Sequence, residues 1–172
     1  MAKTYEPIAT TTLASDTASI SFSSIPGTYT DLKLVMIVRS TVVATNADLR
    51  LTFNGSTAAN YYRTVIQGTG TGNPTSARQT TVANIVLGRP VAASATAGIF
   101  SMINVDIAKY SSATLEKPLL SRMASDRNGS GEVSIVAGLW LNTSAVTSLT
   151  LTPQSNNFAA GTKATLYGIK EA

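Results

Sequence analysis

Short runs of alternating polar and apolar residues, broken at near-regular intervals by Gly, Pro and Asn, constrain this chain more than any other feature. In residues 18–22, Ala18, Ile20 and Phe22 alternate with Ser19 and Ser21. In residues 48–53, Leu49, Leu51 and Phe53 alternate with Arg50 and Thr52. That period of two marks a half-buried strand. Residues 32–39 are nearly continuous in apolar character, which suits the middle of a sheet. Residues 132–141 carry Val133, Ile135 and Ala137 in step and bring in the only tryptophan, Trp140. Further strands are expected at 81–87, 99–107, 119–123, 148–152 and 161–169. No window of 11 or more residues shows a helical stripe, although 58–65 has room for one turn of helix. About nine or ten strands at this spacing predict an all-β chain, an antiparallel β-sandwich of jelly-roll-like form.

Turn chemistry divides the strands. Pro26-Gly27 closes the second, and Asn54-Gly55 is a strong hairpin signal because both residues tolerate positive φ. The expected return strand, 61–67, puts Tyr62, Thr64 and Ile66 on one face and Tyr61, Arg63 and Val65 on the other. Adjacent Tyr61 and Tyr62 therefore point opposite ways, and one of them is expected at the surface. Residues 68–78, rich in Gly and Thr, read as a long exposed loop, and 110–118 as a second. Residues 1–14, with Pro7 blocking helix, read as an extended N-terminal arm or edge strand. Residues 15–172 read as one sandwich domain, and 172 residues suffice for a sizeable core.

Composition bears on function. Charged residues make up 13% of the chain, about half the usual share, and Thr, Ser and Asn supply the polarity instead. There is no Cys and no His. Disulfides, thiolate metal sites and cysteine nucleophiles are excluded, and the commonest general base and zinc ligand are missing. The formal net charge is +4. The cations Lys33, Arg39, Arg50, Arg63, Arg78 and Arg89 are scattered singly, which argues against a nucleic-acid footprint. The longest apolar run, residues 34–38, is far too short for a membrane span, and residues 1–7 lack a secretory apolar region.

The chemical constellations are weak. Asp31, Asp48 and Asp106 lie near expected strand ends and are the carboxylates that a glycan-cleaving site would use. Asp next to a strand is also ordinary turn chemistry. Residues 126–132 resemble the opening of a calcium loop, but its twelfth position is Ala137 where a bidentate Glu belongs. A tight turn between two strands is expected there. The Gly-rich run 68–72 is followed by Asn73-Pro74 instead of a helix, so it does not read as a phosphate cradle. Tyr61, Tyr62 and Trp140 could form a sugar platform, though Trp140 reads better as core. No catalytic, cofactor-binding or metal-binding residue is assigned, no cofactor is expected, and an enzyme is not expected.

Several stretches together carry a resemblance. They are residues 8–13, 20–32, 49–55, Asn60-Tyr61, 148–153, 157–162 and 166–170. The chain resembles β-rich virion structural modules of tailed bacteriophages, of capsid-decoration and fibre-tip type, from phages of aquatic hosts. The similar motifs are strand and turn patterns, so the resemblance implies a virion structural role and transfers no functional residues. A free-standing module that begins at Met1 without a shaft points to a capsid decoration or cement protein. The alternative is a receptor-binding module of a tail fibre or tailspike, with a host-surface glycan as its partner. A glycan-cleaving enzyme is the remote third reading. The decoration reading implies a protein made in the host cytoplasm and located in the virion. Its expected partners are the major capsid protein or other virion subunits, in a homo-oligomer, with a trimer preferred, and neither nucleic acid nor membrane. The candidate contact residues are Tyr5, Pro7 and Ile8 in the arm, with Tyr61 and Arg63 on the return strand.

Overall fold

The computed structural model describes residues 5–170. These form two antiparallel sheets and no helix. Numbered in chain order, the larger sheet runs β1 (Tyr5–Thr12), β12 (Lys163–Ile169), β3 (Asp31–Val38), β8 (Ser101–Ile107), β9 (Lys117–Asp126), β10 (Gly131–Trp140), β5 (Tyr61–Gly68) and β6 (Thr75–Val82). The smaller runs β2 (Ile20–Phe22), β11 (Leu149–Pro153), β4 (Leu49–Phe53) and β7 (Ile85–Gly88). Only β5–β6, β8–β9 and β9–β10 follow one another within a sheet; every other connection crosses between sheets.

The predicted alternation becomes the core. Leu32, Leu34, Met36 and Val38 of β3 point inward with Ile103, Val105 and Ile107 of β8 and Leu119 and Met123 of β9. Leu49, Leu51 and Phe53 of β4 and Leu149 and Leu151 of β11 meet them from the smaller sheet. Trp140 lies in this core at 1% exposure, stacked with Tyr61 and tilted against Phe53. Burying such apolar area is the main favourable contribution to folding.

Twelve strands are present where nine or ten were expected. Part of the difference lies in residues 75–78, expected within a loop but forming the first half of β6 along the edge of β5. Its sequence lacks alternation because neither face is buried, so period-based reading finds nothing there. The expected strand 81–87 is divided. Thr81 takes a φ of 54°, and the chain leaves the larger sheet at Val82 to enter the smaller one at Ile85.

The Asn54-Gly55 turn forms, with φ values of 51° and 66° and the Ser56 N–H donating to the Phe53 carbonyl at 2.9 Å. It does not make a hairpin. β4 and β5 belong to different sheets, because turn chemistry fixes only the local reversal while burial decides the layer. Asn54 also ties the turn to the approach to β11: its Oδ1 accepts from the N–H groups of Thr147 and Ser148 at 2.9 and 3.1 Å. The helical turn considered at 58–65 is absent; β5 starts at Tyr61.

The expected N-terminal arm is an edge strand over its described part, and residues 1–4 lie outside the described residues. β1 pairs with β12 from Tyr5↔Ile169 to Thr12↔Lys163, with an irregularity between Pro7 and Ala9. The 126–132 segment is the expected tight turn. The Arg127 N–H donates to the Ser130 carbonyl at 2.7 Å, and Asn128 and Gly129 take φ values of 56° and 109°.

Candidate interaction surfaces

The outer face of the larger sheet follows from its registers. Ile37, Met102, Ala124 and Val133 form one cross-strand row over β3, β8, β9 and β10. The next row is Val35, Asn104, Arg122, Ile135 and Ile66, and the third is Lys33, Asp106, Leu120, Ala137 and Thr64. Ile37, Ile66, Met102, Leu120, Val133 and Ile135 are all exposed, Val133 at 62%. Alternation aims them outward because their neighbours fill the core. Clustered exposed apolar side chains are the usual mark of a contact surface.

Three charged groups in the second and third rows pair with one another. The Lys33 ammonium lies 2.8 Å from Asp106, whose other oxygen pairs with Arg122. Asp31 accepts the Lys109 N–H at 2.7 Å. Asp31 and Asp106 border one shallow depression with Leu32, Pro118 and Leu120. Asp48 lies 3.8 Å from Arg89 and borders a different recess with Arg63 and Gln67. The three carboxylates named from sequence are therefore engaged separately, two with cations and one with a backbone N–H.

The five candidate contact residues divide. Tyr5 and Pro7 are exposed on β1, while Ile8 packs partly against the core. Tyr61 is fully buried, so its side chain offers no contact surface. Its hydroxyl accepts the Phe53 N–H at 3.0 Å and donates to the Ser56 carbonyl at 3.1 Å. Burial raises its pKa above the ordinary phenol value. The outward member of the pair is Tyr62, which borders a depression with Thr64, Arg78 and Leu139. Arg63 is half-buried beside β7; its Nε donates to Gln79 at 2.7 Å and its Nη1 to the Val86 carbonyl at 3.3 Å. Burial lowers its pKa, partly offset by Asp48.

Polar groups invisible as a set in the sequence converge on the inner face near the β9–β10 turn. Glu132 is 3% exposed, with Ser125, Arg127 and Ser134 also buried. Burial raises the Glu132 pKa, against the opposing pull of Arg89 and Arg127. Arg127 is held by its own turn: Nε donates to Ser130 at 3.1 Å and Nη2 to the Gly131 carbonyl at 3.2 Å. No cluster of three or more metal-ligating side chains occurs among the described residues.

Comparison with family models, with curated proteins and with solved structures finds no match for this chain.

Proposed function

We propose that this chain is a structural protein of a tailed-bacteriophage particle, attaching to the outer shell as a decoration or cement protein. The observation that carries the reading is the outer face of the larger sheet, where six large apolar side chains stand exposed across five strands. Apolar side chains spread over five strands suit attachment to another protein surface better than capture of a small molecule, which takes one concave site. The strand-and-turn resemblance along the chain supports the particle assignment. The partners are shell subunits and further copies of the chain, and the protein resides in the virion. Repetition on a symmetric lattice lets modest contacts sum.

A receptor-binding role on the tail is the second reading. Its support is a depression at one end of the sandwich that Thr69 and Gly70 border together with Asp126 and Gly131, the two ends of the β9–β10 turn. Such loops carry recognition on many rigid scaffolds.

The test is attachment. Purified chain is mixed with shells assembled without it and centrifuged through sucrose. Saturable co-sedimentation with shells, and none with isolated tails, is the expected result. Binding to tails or host cells, with none to shells, would replace it with the second reading.

A further inference from the structure

An unpaired strand edge is a template for another strand, and folded proteins usually guard it. The two sheets here have four edges, and they are not alike. In the smaller sheet β2 has three residues and β7 has four, and Pro90 follows β7 closely. In the larger sheet β1 carries Pro7, an irregularity beside it, and a Glu6–Lys170 ion pair at 3.2 Å. Each of these features discourages further pairing.

The opposite edge, β6, is less guarded: Pro74 precedes it and an irregularity lies near its end, but the strand between them carries no such feature. It is eight residues long and contains no Pro, no Gly and a single charge, Arg78. Its seven residues 75–81 are exposed, so solvent reaches both of its faces as well as its edge. Five residues, Thr75 to Gln79, continue in unbroken register with β5 before the irregularity near Val82. Ser and Thr dominate, and β-branched Thr suits a pleated ladder.

We propose that β6 pairs antiparallel with β6 of a second copy, about a two-fold axis perpendicular to the sheet and centred on Ala77. Each copy has one open edge, so like must meet like, and the contact closes at two copies instead of growing into a fibre. This axis keeps both apolar outer faces on the same side. Antiparallel partners point to the same face, so centring on Ala77 sets Arg78 opposite Ser76 and Thr75 opposite Gln79. Centring on Arg78 would put like charges directly opposite, which destabilises a strand pair. Centring on Ser76 would set Pro74 against Arg78 and lose a ladder bond. The result is a pair, not the trimer preferred from the sequence, and it holds whichever particle role is correct.

The absence of cysteine gives a direct test. Opposed Cβ atoms in an antiparallel pair lie about 4.5–5.5 Å apart, close to the span that a disulfide bridges. Ala77→Cys and Val43→Cys, the latter on an exposed loop, are oxidised under identical conditions. The unmodified chain is examined by sedimentation equilibrium at about 100 μM. The expected result is a dimer, with Ala77→Cys cross-linked at least tenfold faster than Val43→Cys. A monomer, a trimer, or a dimer in which the two variants cross-link equally would overturn the proposal.

Discussion

Tyr61 and Trp140 are register partners on β5 and β10, and their rings stack 6.1 Å apart at an angle of 16°. The pair projects inward from the larger sheet, and the Tyr61 hydroxyl reaches β4 of the smaller one through the Phe53 N–H. One side chain thus joins aromatic packing to a hydrogen bond between layers. Tyr61→Phe keeps the ring and leaves that buried N–H without its acceptor, so a loss of about 1–2 kcal/mol is expected. Tyr61→Ala also empties the aromatic site and should cost about 3–5 kcal/mol. Urea denaturation checks both; an unchanged stability for Tyr61→Phe would mean that the hydroxyl contributes nothing, and equal losses that the ring adds nothing beyond it.

Gly168 lies beneath Tyr29. A Cβ at this position would come within 2.3 Å of the ring. Tyr29 also donates to Glu6 at 3.1 Å, and the Lys170 ammonium sits 5.4 Å from the ring centroid. Gly168→Ala must push the ring away, so a loss of about 1–3 kcal/mol is expected from thermal or denaturant unfolding. A change below about 0.5 kcal/mol would contradict this packing.

Glu132 gives the fold a defined response to pH. Burial raises its pKa above the ordinary carboxylate value, so the folded chain holds that proton more tightly than the unfolded one. The resulting stabilisation is complete below the ordinary value of 4.5 and is lost as pH rises through the higher folded-state value. As pH rises through that value, a charge develops on a buried carboxylate. Glu132→Gln is therefore expected to raise the denaturation midpoint at pH 8, with a smaller difference at pH 4.5. An advantage that grows toward acid would reverse the assignment.

Val133 and Ile135 alternate with Glu132, Ser134 and Val136 along β10, and only the latter three are buried. Converting Val133 and Ile135 to Asp should therefore leave folding stability within about 0.5 kcal/mol per site. Loss of shell binding by at least tenfold, with an unchanged circular dichroism spectrum, is the expected outcome. Full binding by the folded double variant would remove the outer face from the proposed contact.

Where one face is buried and the other wet, the sequence was legible. Leu49, Leu51 and Phe53 declare β4 by alternation alone, and Trp140 reads as core because aromatic side chains in a sandwich are more often buried. β6 was not legible: Thr75 to Thr81 bury nothing, so no hydrophobic period exists to read. Sheet membership was hidden too. Asn54 and Gly55 encode a reversal, but which layer receives β5 depends on Tyr61 meeting Phe53 across the core. Tyr61 is a contact candidate on sequence because one of two adjacent tyrosines must face outward, and nothing local shows which. Glu132 and Arg127 fall in the predicted 126–132 turn, and no local pattern announces that both are buried.

The proposed decoration role is tested most directly by locating the chain in an intact phage particle, by cryo-electron microscopy. The expected result is repeated density on the outer shell that fits the unequal two-sheet sandwich, with Val133 and Ile135 facing the shell. Density confined to the tail tip, or particles that lack the chain, would contradict the decoration role.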